Sequence, residues 1–128
     1  MGFYFGRDKR LCTAAEFKKV FDKTDIKVSS RHLLILARVN GQDTSRLGLV
    51  VAKKNVRLAV SRNRTKRHIR ESFRHHTVAL SNLDIVVLVR RGFSELADKE
   101  MNQLLKKQWL KLSQRLTLWK ASRQDFHR

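Results

Sequence analysis

The spacing of apolar residues divides the chain into alternating helical and extended segments. Phe17, Val20 and Phe21 recur at positions i, i+3 and i+4, which places them on one face of a helix. Immediately before them, the segment from Thr13 to Glu16 has the form of a capping box, in which both side chains satisfy free amides at a helix start. The pattern therefore predicts a first helix that begins after Thr13.

Three other apolar runs have the length and composition of β-strands. Leu33–Val39 and residues 47–52 are separated by an Asn-Gly pair at positions 40 and 41, which is a strong turn signal. We therefore expect these two runs to pair as an antiparallel hairpin. The run Leu83–Val89 is almost continuously aliphatic and rich in β-branched residues, which predicts a strand buried on both faces.

Two longer segments have the spacing of helices. In residues 58–80, Ile69 and Phe73 lie four positions apart on the apolar side, and basic residues recur at the same spacing elsewhere around the helix. From residue 101 to residue 116, leucines, a methionine and a tryptophan again keep a helical spacing. The order helix, strand, strand, helix, strand, helix indicates an α+β sandwich in which helices cover a small sheet.

Nothing in the chain marks an internal domain boundary. There is no proline, no linker-like segment and no repeat, and 128 residues is an ordinary size for one hydrophobic core. We therefore predict one domain over residues 1–128. Residues 1–10 and the residues after Trp119 are expected to be basic tails.

The charge balance adds a function class to this fold class. The chain has 29 lysines and arginines against 11 acids, a formal net charge of +18, and such self-repulsion is naturally relieved by a polyanionic partner. No apolar run approaches the roughly 20 residues that span a bilayer, so a nucleic acid is favoured over a membrane. The single cysteine, Cys12, and the lack of a secretory-type apolar start predict a cytoplasmic protein.

The positive charge is concentrated between residues 46 and 74. This segment has only one acid, Glu71, so almost none of the intrahelical ion pairs that usually balance a charged helix face can form. Arginine outnumbers lysine, which suits bidentate recognition of phosphate. The cations are Arg46, Lys53, Lys54, Arg57, Arg62, Arg64, Lys66, Arg67, Arg70 and Arg74.

The sequence carries no signature of a protein catalytic site. None of the five histidines has an acid or cysteine at the spacing of a known metal or nucleophile site. The acids are scattered, and no glycine-rich phosphate loop accompanies them. We therefore predict no catalytic residue and no metal ligand in the chain itself.

Three motifs carry a specific resemblance. Residues 59–67 read Ala-Val-Ser-Arg-Asn-Arg-Thr-Lys-Arg, and residues 70–74 continue as Arg-Glu-Ser-Phe-Arg. Residues 46–54 lead into them and end in a double lysine, and an Arg-Leu pair followed by residues 16–21 lies upstream. In this order, the motifs resemble the bacterial ribonuclease P protein family from about residue 10 to residue 116.

The resemblance implies an accessory subunit of an endoribonuclease. In that family a large RNA uses Mg²⁺ ions to remove the 5′ leader of precursor tRNA, and the protein is its cofactor. The implied partners are ribonuclease P RNA and precursor tRNA, with neither a membrane nor DNA. The residues implied to dock on the catalytic RNA are Arg46, Lys53, Lys54, Arg57, Arg62, Asn63, Arg64, Lys66, Arg67, Arg70 and Arg74.

The resemblance also implies a cleft between the first helix and the sheet for the single-stranded leader. Phe17 and Phe21 are candidate stacking platforms there and Lys18 a backbone contact. The residues alone favour an ordinary core role for both aromatics, and the strand Leu33–Val39 adds no aromatic to the cleft. The family fold further implies the order α-β-β-(β)-α-β-α and a left-handed β-α-β crossover, although such crossovers are nearly always right-handed.

Two alternatives remain open at this point. A ribosomal or other structural RNA-binding protein fits the size and charge equally well, and restored 5′ processing of precursor tRNA would exclude it. A DNA-binding regulator would need a helix-turn-helix or a dimer interface, whereas the basic helix here is predicted to lie between two strands. Competition by duplex DNA would distinguish that alternative.

Overall fold

The computed structural model describes residues 9–126 and contains three helices around one four-stranded sheet. The class predicted from the sequence, α+β, is confirmed, and the additional strand in the order implied by the resemblance is present. The elements are α1 (Ala14–Asp22), β1 (Ile26–Ser29), β2 (Leu33–Val39), β3 (Arg46–Val50), α2 (Ala59–Arg74), β4 (Leu83–Val89) and α3 (Asp98–Phe126), with a 3-10 turn at Phe93–Glu95.

The strand order is β1-β2-β4-β3, so the predicted hairpin between β2 and β3 is wrong. β4 lies between them, antiparallel to β2 and parallel to β3. The physical reason is that β4 is buried on both faces and gains most from an interior position with neighbours on both sides. The Asn-Gly signal does mark a turn, with Gly41 at a φ of 71°, but this turn carries the chain past β4.

Three boundaries differ from the sequence-based expectation. α2 ends at Arg74 rather than near residue 80, because the chain turns and buries Leu80 in the core. β3 ends at Val50. The expected tail after Trp119 is helical instead, since α3 continues to Phe126. The tail predicted for residues 1–10 falls mostly outside the described residues.

The sheet has a helical layer on each face. Every second residue of β4 points toward α2 and α3, namely Leu83, Ile85 and Val87. In that layer the rings of Phe73 and Trp109 meet edge to face, with their centroids 5.5 Å apart. Val86 points the other way, toward α1, and belongs to a smaller apolar cluster. β3, α2 and β4 thus form a parallel β-α-β unit whose left hand, implied by the resemblance, stays a prediction.

The predicted capping box at the start of α1 is confirmed. The Glu16 carboxylate accepts hydrogen bonds from the amides of Cys12 at 2.8 Å and Thr13 at 3.0 Å, and the Thr13 hydroxyl accepts from the Glu16 amide at 3.2 Å. These backbone hydrogen bonds are the main reason that the pKa of Glu16 is lowered. The start of α1 is therefore fixed by its own first turn.

Gly48 of β3 allows α1 to pack closely on the sheet, because it leaves room for the ring of Phe17. A Cβ at this position would lie 2.6 Å from Cζ of Phe17, closer than carbon atoms can approach. We expect Gly48→Ala to lower the free energy of unfolding by about 1 to 3 kcal/mol, the usual cost of overpacking. Urea denaturation measures this change. If the ring is the cause, Phe17→Leu in the same chain should restore part of the loss, and an unaltered unfolding midpoint for Gly48→Ala would contradict the assignment.

Candidate nucleic-acid interface

The outer side of α2 forms a shallow basic groove. Thr65, Ile69 and Phe73 face the core, so the remaining turns of the helix present their polar side chains outward. Among the side chains of residues 9–123, no carboxylate forms an ion pair with the cations at positions 66, 67 and 70. The residues of this α2 groove are Asn63, Lys66, Arg67, Arg70, Glu71 and Arg74.

One acid does lie in the groove, and its charge is already matched. Glu71 accepts a hydrogen bond from Arg74 at 2.5 Å, and this contact is the main reason that the pKa of Glu71 is lowered. Burial and then the nearby charge of Arg10 lower the pKa of Arg70. Arg10 forms an isolated β-bridge with Leu47 on the outer edge of β3. Because Arg10 is also near Arg70, the groove lies beside this edge of the sheet. A phosphate at this point would relieve the repulsion between the two arginines.

The two arginines of the Arg-Asn-Arg motif are turned away from the groove. Arg62 donates to the carbonyls of Val56 at 3.1 Å and Arg57 at 2.8 Å, and it thereby holds the loop that precedes α2. Arg64 forms an ion pair with Asp98 at the start of α3, and hydrogen bonding to Arg64 is the main reason that the pKa of Asp98 is lowered. Both arginines therefore join α2 to its neighbours, and no motif or spacing in the sequence indicates these contacts.

The loop before α2 carries the next group of predicted cations. Lys53, Lys54 and Arg57 are exposed there. Lys54 and Arg57 line a hollow together with Arg91, a cation two residues after β4 that the sequence analysis did not select. The positively charged surface of α2 thus extends to the end of the sheet where β3 and β4 finish.

Arg46 lies apart from the other predicted RNA contacts. Its guanidinium lies 2.6 Å from Glu16 and 2.8 Å from Asp84, and its side chain is 23% exposed. The Asp84 side chain is only 2% exposed and also accepts a hydrogen bond from Asn40 at 2.9 Å. We call Glu16, Arg46 and Asp84 the ion-pair network, and it connects α1, β3 and β4.

On the face of the sheet beside α1, where the resemblance implies the leader cleft, several apolar side chains are only partly buried. Half-buried Leu36, Val50 and Leu88 form its floor, next to the buried cluster under α1. Phe17 is largely occupied by its contact with Gly48, whereas Phe21 is 44% exposed at the rim. Phe21 is thus the aromatic with a free surface for stacking. The third predicted leader residue, Lys18, is exposed and pairs with Asp22 at 2.5 Å.

Two cations at the far side of this cleft were not selected from the sequence. Arg90, at the end of β4, donates to the Ser29 hydroxyl at 3.1 Å and to the Ser30 carbonyl at 2.5 Å. Lys27 is exposed on β1 and points to the cleft side, because its neighbours Ile26 and Val28 are buried on the opposite face. The cleft is therefore bordered by positive charge at the β1 edge.

Within residues 9–123 no group of three or more histidine, cysteine or acidic side chains is arranged to hold a metal ion. In the same part of the chain, every helix is too short or too polar to cross a membrane. A helix face of unpaired cations beside an apolar cleft defines a protein that binds nucleic acid.

Comparisons with known proteins specify the family. The family model described as Ribonuclease P matches residues 5–113. The ribonuclease P protein component of Pseudomonas paraeruginosa is 56% identical over 108 residues, covering 84% of this chain and 80% of the relative. That of Azotobacter vinelandii is 50% identical over 109 residues, covering 85% and 84%.

Solved structures agree with this match. The RNase P protein of Staphylococcus aureus has a TM-score of 0.74 at 30% identity, covering 82% of this chain and 94% of that one. The RNase P protein of Thermotoga maritima has a TM-score of 0.68 at 32% identity, covering 83% and 96%. The chain therefore belongs to the ribonuclease P protein family, whose members are the protein component of the endoribonuclease that matures the 5′ end of tRNA. The family predicted from the motifs is confirmed, and the ribosomal alternative is excluded.

Proposed function

We propose that the chain binds RNA on two faces of one domain, the catalytic RNA on the α2 groove and the 5′ leader of precursor tRNA in the cleft. The observation that carries this proposal is the α2 groove, in which Lys66, Arg67 and Arg70 lack carboxylate partners among the described residues. Unmatched cations held on a rigid helix bind a phosphate backbone and release its counterions.

Direct contacts to the catalytic RNA are assigned to the exposed or groove-lining residues. Asn63 adds a neutral hydrogen-bonding group at the centre of the cationic surface. Three other arginines contribute positive charge but are held by contacts within the protein. Arg62 binds the loop before α2, Arg64 pairs with the start of α3, and Arg46 pairs with Glu16 of α1. The direct set is Lys53, Lys54, Arg57, Asn63, Lys66, Arg67, Arg70 and Arg74.

The cleft suits an unpaired strand because it combines an apolar floor with an aromatic rim. Bases of a single-stranded RNA can stack on Phe21 and rest on Leu36 and Leu88, while Lys18 and Lys27 lie close enough to the rim to meet the backbone. Stacking of this kind tolerates many base sequences. One protein can thus serve many different leaders.

The cations of the chain also bear on the metal requirement of the holoenzyme. In this family Mg²⁺ supports the RNA-catalysed reaction, and Lys and Arg contacts neutralise phosphates that the metal would otherwise have to screen. We propose that the protein lowers the Mg²⁺ concentration at which RNA and substrate assemble. We place this activity in the cytoplasm, where the exposed thiol of Cys12 remains reduced.

Phe21→Ala tests the leader site in the assembled holoenzyme. We expect about tenfold weaker binding of precursor tRNA that carries a leader, since one stacked base contributes roughly 1 to 3 kcal/mol. Binding of tRNA without a leader should not change. The measurement is the equilibrium Kd for both RNAs, and Phe21→Tyr, which keeps the ring face, is the matched control. Equal losses for the two RNAs, or no loss for either, would contradict the assignment.

A further inference from the structure

The helix α3 carries a second set of unmatched cations. From Met101 to Arg123 its sequence contains six basic residues and no acid. Among the residues that the structure describes, none of the six forms an ion pair with a carboxylate. As on α2, this charge needs an anionic partner outside the chain. The six are Lys106, Lys107, Lys111, Arg115, Lys120 and Arg123.

Three of these cations form a row along one side of the helix. Lys107, Lys111 and Arg115 are spaced four residues apart, so they lie one above the other at intervals of about 6 Å. The apolar side of α3, with Trp109 and Leu112, is buried against the sheet and α2. We call Lys107, Lys111 and Arg115 the α3 row.

The α3 row ends at the edge of the cleft. Arg115 donates a hydrogen bond to the backbone carbonyl of Lys27 in β1, the edge strand of the sheet. The Lys27 side chain points to the cleft side, where Arg90 is bound to Ser29 and Ser30. Positive charge therefore continues from the cleft, around the β1 edge, onto α3.

The topology places the two basic helices at opposite ends of the cleft. The α2 groove lies beside the outer edge of β3, as the contact between Arg10 and Leu47 shows. α3 packs against β1 at the other edge. If the catalytic RNA occupies the α2 groove, a leader that comes from it enters the cleft over β3 and leaves it over β1.

We propose that the α3 row binds the phosphate backbone of the part of a long 5′ leader that extends beyond the cleft. This inference rests on the proposed function of the cleft. The row recognises phosphate and offers no aromatic side chain, so it senses the length of a leader and is indifferent to its bases. The family model ends at residue 113, so Arg115 and the last turns of α3 lie outside the matched pattern.

The test compares two lengths of leader on the holoenzyme, a short one of about 4 nucleotides and a long one of about 16, the range that single-strand binding folds span. The variant Lys107→Gln with Lys111→Gln removes two charges and keeps the helix. We expect it to bind the long-leader substrate about three- to tenfold more weakly, with a salt slope lower by about one unit. Binding of the short-leader substrate should be unchanged.

The matched control is Lys106→Gln with Lys120→Gln, which removes the same charge from α3 outside the row. This control should bind both substrates like the parent protein. Equal losses for short and long leaders would assign the row to the catalytic RNA and overturn the proposal, as would an unchanged Kd or an equal loss in the control. None of these results would contradict the proposed leader site at Phe21. That site is tested separately, by the effect of Phe21→Ala on binding of the short-leader substrate.

Discussion

Replacement of Lys66, Arg67 and Arg70 by alanine is expected to weaken binding of the catalytic RNA by about a thousandfold at physiological salt. Each lost charge-assisted hydrogen bond to phosphate is taken as about 1.4 kcal/mol, or roughly tenfold in Kd. The slope of log Kd against log salt should fall by about three units, one for each cation. Filter binding of the RNA over a range of salt concentrations measures both quantities.

A matched variant shows whether weaker RNA binding comes from the loss of the groove contacts or from the loss of net positive charge. Lys99→Ala with Lys106→Ala and Lys120→Ala removes three charges from exposed positions on α3 that do not line the α2 groove. We expect this variant to lose less than about tenfold in affinity, because exposed charges that do not contact the RNA are largely screened at this salt concentration. If both triple variants weakened binding equally, the α2 groove would not be the docking site.

Asp84→Ala is expected to lower the free energy of unfolding by about 3 to 5 kcal/mol, the usual cost of removing one partner of a buried ion pair. The Asp84 side chain is 2% exposed and accepts two hydrogen bonds from Arg46, at 3.0 and 2.8 Å. Without it, the guanidinium of Arg46 keeps only its pairing with Glu16.

Urea denaturation measures this loss, with Asp22→Ala as the control. Asp22 pairs with Lys18 on the surface, where both side chains are more than half exposed, so its removal should change stability by no more than about 1 kcal/mol. An Asp84→Ala protein as stable as the Asp22→Ala protein would show that the ion-pair network does not hold α1, β3 and β4 together.

Local pattern predicted most of the elements, because helix and strand periods depend on neighbours along the chain. The capping box at Thr13, the buried strand Leu83–Val89 and the basic helix are all present. Strand pairing was not predictable in the same way. The position of β4 between β2 and β3 depends on which strand gains most from burial on both faces, and a strong local turn signal at Gly41 indicated the wrong neighbour.

The presence of many cations on α2 was predictable from the sequence, but the direction of their side chains was not. Counting charges located the cations of α2 correctly on one helix. The contacts that turn Arg64 and Arg46 inward are made with Asp98 and Asp84, which lie 34 and 38 positions away in sequence. Pairing over such distances is decided by the tertiary fold. A residue spacing therefore could not show which arginines remain available to RNA.

The interior position of β4 has a consequence for synthesis on the ribosome. β2 and β3 hydrogen bond to β4 and not to each other, so β3 has no strand of the sheet to pair with until Val89 has been translated. By then about two thirds of the polypeptide has been synthesised and its earlier aliphatic strands lack their partner, a state prone to aggregation. Completion of the nascent sheet must wait for its fourth strand, so the chain relies on rapid late folding or on chaperones during its own translation.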